Sequence, residues 1–450
     1  MEQHREKFSS GLAVFFATLS SAVGLGNIWM FPFVVGENGG AAFIIIYLIC
    51  ILIIGIPTLI SEFIVGRSTR KNIYGAVSDV TDKKGFKVIG IIGLLASYMM
   101  LFFYTVVSGW VYCYVFKALA GSFKGITASG AVNMFNEASV GPLGPIVWQI
   151  VALIVAGIII AMGVKSGIEK ITKILMPVLV VLLIVCAIRS VTLPGAMQGI
   201  KFLLEPNFSK VNLSVVLSAL GLAFFKLSVG TGSMYTYSSY FTDDNNLIRT
   251  GVKVALADTC VSLIAGLAIF PAVFAFGLKP SQGPGLLFNT VPLIFSKMAG
   301  GTILGIVFFL LTAMAATMAT ISIVQVLIAT FTEQFKIERK KAIVINIVII
   351  VAFGILAALS ANPEGVLGQF KIFGDTFFNL FSDIVSNILL PINGILVTIL
   401  IGYFVSRDTI KNQLTNNGTI KNEAIVKIMF FTIRYITPIL VLIVFLKTFI

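Results

Sequence analysis

Charge is scarce in this sequence of 450 residues. Asp, Glu, Lys and Arg together make up 11% of it, where a soluble domain averages near a quarter. That scarcity excludes a water-soluble globule, because a chain 58% hydrophobic has too much apolar surface for one core to hide. Mean hydropathy is +1.01, and the solvent for most of the chain is lipid. Histidine is nearly missing: His4, in the polar start MEQHREKF, is the only one. No histidine-based nucleophile–base set is therefore visible, and an enzyme is not expected. Cysteine is as rare. Cys50, Cys113, Cys186 and Cys260 all lie in apolar runs, without CxxC spacing or a disulfide framework, so neither a metal site nor a cofactor is called for. The polar start also lacks an apolar stretch before a small-residue cleavage site, and no signal peptide is read.

What is present is a series of apolar runs long enough to cross about 30 Å of hydrocarbon. Eleven are read, at about 11–35, 41–66, 89–118, 146–163, 168–190, 213–240, 251–278, 301–332, 342–360, 374–402 and 428–448. The net charge of +13 is distributed topologically. With the N-terminus in the cytoplasm, about twenty Lys/Arg fall in cytoplasmic segments and about six outside, as the positive-inside rule expects. Arg67, Arg70, Lys71, Lys83, Lys84 and Lys87 belong to the first group, as do Lys336, Arg339, Lys340 and Lys341. The charge is thus no sign of a nucleic-acid partner. The expectation is a multi-pass inner (plasma) membrane protein with an external C-terminus.

Two runs are interrupted alike. The first carries Ser21-Ala-Val-Gly-Leu-Gly-Asn27, and the sixth carries Lys226-Leu-Ser-Val-Gly-Thr-Gly232. Glycine in a helix interior costs about 1 kcal/mol relative to alanine, so each pair marks a place where a helix stops and restarts. Matched interruptions five spans apart point to a mid-membrane binding site between inverted repeats, about 11–190 and 213–402, with an extra helix at about 428–448. The fold expected over residues 1–450 is thus one all-α transmembrane domain with helices 1 and 6 discontinuous. The competing reading is that the glycines serve close helix packing alone.

At these residues the chain resembles the neurotransmitter:sodium symporter family, eleven-span bacterial type. The resemblance is carried by Ala22 to Asn27 with Trp29 and Phe31-Pro32, Glu37 to Gly40, Ile56-Pro57 through Glu62 and Gly66-Arg67, and Tyr104 through Trp110. It continues in Phe224-Phe225, Tyr237 through Tyr240, Gly266 to Pro271, and Leu390-Pro391. It implies a carrier working by alternating access, with a pocket between spans 1, 3, 6 and 8. The pocket would hold an α-amino acid. Its carboxylate would meet the amides of Leu25 and Gly26 and the hydroxyl of Tyr104. Its amino group would meet carbonyls around Ala22 and Phe225 and the Ser228 hydroxyl. Met100, Phe225, Thr231, Ala319 and Ile323 would line the side-chain subsite. Gly24 supports a substrate with a carboxylate, because amine carriers of the family place an aspartate there.

The departures from the family pattern matter most. At the first sodium site Asn27 is kept, but Lys226 replaces a hydroxyl residue and Asp258 an asparagine. At the second, Met318 and Ala319 replace two hydroxyl residues, and a thioether and a methyl give sodium no hard oxygen. Lys226 is expected to pair with Asp258 and to stand in for the first sodium. A permanent salt bridge joining spans 6 and 7 is the other reading. At the outer gate Met30 and Asn379 replace an ion pair, leaving an apolar plug of Met30 and Phe225. At the inner gate Arg5 would pair with Glu333, braced by Tyr240. Gly167 and Pro177 match a spacing that some relatives use to unwind span 5. Arg434 is read as snorkelling to the interface, and Asp375 and Asp383 have no assigned role. Three functions follow: an amino-acid carrier with altered coupling, a conventional sodium symporter, or a non-transporting sensor that kept the fold.

Overall fold

The computed structural model describes residues 6–278 and 285–447. Among the described residues it is all-helical, its only β feature an isolated bridge between Ile372 and Asp375. The principal helices are α1 (Gly11–Ala22), α2 (Gly26–Glu37), α3 (Ala41–Thr69), α4 (Lys84–Leu119), α5 (Gly144–Ala161), α6 (Val164–Val191) and α7 (Leu213–Lys226). They continue with α8 (Ser233–Ser238), α9 (Leu247–Ala275), α10 (Gly301–Gln334), α11 (Arg339–Ser360), α12 (Phe377–Phe404), α13 (Arg407–Thr415) and α14 (Glu423–Ile443). Shorter helices lie in the connections, such as Leu286–Lys297.

Among the described residues, nine helices are long and apolar enough to cross a membrane. The pair α1 and α2, bent by 56° at the break, would make a tenth. The eleven-span count is therefore not reached by length alone. The shortfall lies in the sixth expected span, which is the 14-residue α7, an irregular stretch at 227–232, and the six-residue α8. Ser228, Gly230 and Gly232 there have φ of 51°, 87° and 88°, and left-handed backbone cannot continue a right-handed helix. The first break is made differently: Val23 turns extended, with φ −79° and ψ 110°. The unwinding expected at Pro177 is not seen. α6 runs through that proline, and the local irregularity is a wide turn at Val164–Glu169 that follows Gly163 at φ 96°.

α4 and α10, of 33 residues and more, pack at the centre beside both broken segments. α14 lies at the periphery, with Ile428, Phe431 and Ile439 exposed as a lipid-facing helix requires.

Candidate functional site

Breaking a helix inside hydrocarbon leaves amides and carbonyls that water cannot satisfy, so each must find a partner. Here side chains take them. The Leu25 N–H donates to the Tyr104 hydroxyl of α4 at 3.1 Å, and the Gly24 N–H to Asn27 Oδ1 at 3.1 Å. The Ser228 hydroxyl donates to the Ser21 carbonyl at 2.7 Å, joining one break to the other. The Gly230 N–H donates to Glu62 Oε1 at 2.6 Å, and the Gly230 carbonyl accepts from Asn393 Nδ2 at 2.6 Å. The Ser97 hydroxyl donates to the Thr231 carbonyl at 2.6 Å. Ser97, Glu62 and Asn393 thus clamp the unwound stretch. Sequence reading gave none of the three that role; the one available signal was that Glu62 is an acid inside an apolar run.

Several of the residues assigned to the pocket meet at this junction. Gly24 is packed so closely that a Cβ there would stand 2.8 Å from the Tyr104 hydroxyl and 2.9 Å from the Ala319 Cβ. That closeness places α4 and α10 against the first break. The Phe225 ring covers Gly26, its Cε1 3.6 Å from where a Cβ would be. Ala22, Leu25, Met100, Ser228, Ala319 and Ile323 are buried, while Gly26 and Phe225 are half-buried. Thr231 is spent otherwise than expected. It is wholly buried, and its hydroxyl donates to the Ser228 carbonyl at 2.8 Å and accepts the Ser233 N–H at 3.2 Å. That hydroxyl serves the turn and adds no polarity to a subsite.

Asn27, one residue beyond Gly26, is bonded to an ion pair. Lys226 Nζ stands 2.8 Å from Asp258 Oδ2, and both side chains have 0% exposure. Asn27 Nδ2 donates to Asp258 Oδ1 at 2.6 Å and to the Ser262 hydroxyl at 3.0 Å. The ammonium also donates to Ser262 and lies 5.0 Å from the Phe31 ring centroid and 5.6 Å from that of Tyr47. At an effective dielectric near 20, two unit charges 2.8 Å apart attract by roughly 6 kcal/mol, which offsets a desolvation cost of several kcal/mol per ion. Pair, hydroxyl and amide together form a neutral, hydrogen-bonded cluster. On α10, Met318 is wholly buried, and the flanking Thr317 and Thr320 hydroxyls donate back to the Ala313 and Ala316 carbonyls at 2.6 and 2.8 Å.

Met30 is half-buried, and Asn379 is exposed in the first turn of α12, its N–H held by Thr376 at 3.4 Å. Arg5 lies outside the described residues. Glu333 Oε2 accepts both the N–H and the side-chain amide of Asn72 at 2.8 Å. Tyr240 accepts from Gln325 at 2.9 Å, whose own oxygen accepts from Arg339 at 2.9 Å. Beyond Arg5 the chain is tied down by Lys7, whose ammonium donates to Asp243 at 2.7 Å; with Arg70 alongside, this holds the Asp243 carboxyl below its ordinary range.

Comparison with known proteins fits this geometry. The profile of the sodium:neurotransmitter symporter family matches residues 5–128 and 125–450. This chain belongs to that family. It is 36% identical to an uncharacterized sodium-dependent transporter of Bacillus subtilis, over 99% of this chain and 98% of that protein. It is 35% identical to another from Haemophilus influenzae, again over 99% and 98%. The crystal structure of MhsT in complex with L-phenylalanine matches with a TM-score of 0.91 at 40% identity, over 99% of this chain and 100% of that one. As a member of the symporter family the chain is a multi-pass membrane protein whose relatives are transporters. Its amine at position 226 sits inside the family's shared architecture, beside a broken helix.

Proposed function

We propose that this symporter-family protein carries an α-amino acid with an apolar side chain by alternating access, and that the Lys226 ammonium takes the place of the first sodium ion. The observation that carries the reading is the wholly buried Lys226–Asp258 pair at 2.8 Å, bonded to Asn27 one residue past Gly26. A cation fixed there places positive charge near amides that would receive a carboxylate, as a bound metal ion would. Met100, Ala319, Ile323 and Phe225 offer an apolar lining, and MhsT, 40% identical, is described with L-phenylalanine. Met318 and Ala319 supply no side-chain oxygen for a second sodium ion. A tethered cation is never released, so substrate would move by exchange, down its own gradient, or coupled to a proton carried by this pair or Glu62.

The second reading is conventional sodium symport, favoured by the sodium-dependent relatives at 36% and 35% identity. The test is uptake of a labelled amino-acid panel into proteoliposomes, with sodium against choline. Equal uptake in both is expected. A Lys226→Thr plus Asp258→Asn double variant should gain sodium dependence of about tenfold, since one ion's worth of charge is at stake. Uptake by the unmutated protein that collapses in choline would overturn the replacement and leave the carrier standing.

A further inference from the structure

Away from the central site, α13 and the first turns of α14 enclose a cavity of about 360 Å³. Three cations line it: Arg407 and Lys411 from α13 and Lys427 from α14. The apolar part of the lining is Ile410, Val426 and Phe430. Asp408 and Glu423 also border it, and Lys411 reaches Glu423 at 3.4 Å across its mouth. Because both partners of that bridge are more than half exposed, it holds the cations only weakly.

The cavity lies where an apolar span begins. On other faces of the same helix Ile425, Ile428 and Phe431 are exposed, as is Phe404 at the end of α12. A second cation is drawn to the same ring. Arg407 lies 5.3 Å from the Phe430 centroid and Arg434 5.8 Å from it, with Arg434 also 4.5 Å from Tyr403 and 5.5 Å from Tyr435. The Nε of Arg434 is buried without a hydrogen-bond partner among the described residues, and its guanidinium lies against ring faces. One wall is held rigid. On its far side α13 is gripped by Arg67 of α3, through the Gln413 side chain at 2.7 Å and Asn416 at 3.2 Å.

We propose that this cavity is a binding site for an anionic phospholipid. The headgroup phosphate would sit between Arg407, Lys411 and Lys427, and the acyl chains would run along the exposed face of α14. A basic pocket between helices at a membrane boundary is the chemistry that selects anionic headgroups. The apolar Ile410, Val426 and Phe430 in its lining, on a helix whose other faces expose Ile425, Ile428 and Phe431, argue for a lipid over a soluble anion, which has no use for an apolar flank. Through Arg67, α13 also reaches the Asn245 carbonyl, and Asn416 Nδ2 reaches that of Asp244 at 2.9 Å. A bound lipid therefore touches a strut that ends in the loop following α8.

The test takes the full-length protein in detergent and counts retained phosphatidylglycerol against phosphatidylcholine by native mass spectrometry. Preferential retention of phosphatidylglycerol is expected, weakened in R407Q/K427Q by roughly fivefold for each charge removed. Equal retention of the two lipids, an unchanged variant, or displacement of phosphatidylglycerol by inorganic phosphate would each overturn the site. Should the variant misfold, the unmutated protein decides alone. A photoactivatable phosphatidylglycerol should label peptides within 403–435, and labelling confined to other helices refutes the proposal.

Discussion

Lys226 was legible as an anomaly from its place in the sequence, because a charge inside a hydrocarbon-length run is rare and needs a partner. Asp258 was the only acid that the family spacing placed near it, and the structure sets the two 2.8 Å apart. The consequence is asymmetric. Lys226→Ala alone leaves a carboxylate buried without its counter-ion and should cost about 3–5 kcal/mol, whereas a joint Lys226→Met, Asp258→Leu change should cost far less. Thermal unfolding in detergent compares the three proteins, and equal losses would show the two groups to be uncoupled. Gly24 makes a separate case. An aspartate there meets Tyr104 and Ala319 atoms under 3.0 Å from its Cβ, so Gly24→Asp should abolish amino-acid binding measured by scintillation proximity. Thr231 was not legible. Its residue type suggested a polar subsite, and only the turn's φ angles sent its hydroxyl to Ser228.

At the scale of elements, the breaks in α1–α2 and α7–α8 could be read from glycine pairs, because glycine is costly inside a helix; only in the second do the glycines take left-handed backbone. What receives the freed amides could not be read. Glu62 is the test of that arrangement. Glu62→Ala removes the acceptor of the Gly230 N–H and should destabilise by about 1–3 kcal/mol, while Glu62→Gln keeps a carbonyl oxygen at the same place and should restore most of it. Chemical denaturation of both in one detergent measures the difference, and equal losses would mean that the carboxylate acts by charge and not as an acceptor. Length alone also misses this element as a span, because the break divides it into two short helices. Within 213–240 the backbone reverses φ at the glycine-containing interruption, and the sixth span is discontinuous as its sequence implied.

For the molecule as a whole, Arg67 links parts that sequence keeps far apart. From α3 its guanidinium bonds to Gln413 and Asn416 beyond α12 and to the Asn245 carbonyl before α9. A planar fork makes these bonds together, which an ammonium cannot. Arg67→Lys should therefore loosen the connection after α13, and limited proteolysis should cut between 416 and 422 several times faster than in the unmutated protein. An unchanged rate would show that the apolar packing of Ile410 and Leu414 holds α13 by itself. By itself the sequence determined the solvent, the approximate ends of most spans, the sites of both breaks and the misplaced charges, since composition and periodicity are local properties. Only the tertiary structure decided which groups meet: Tyr104 with Leu25, Glu62 with Gly230, Glu333 with Asn72. Those partners lie 79, 168 and 261 positions apart, and whether they touch depends on how each helix is rotated and how deep it sits.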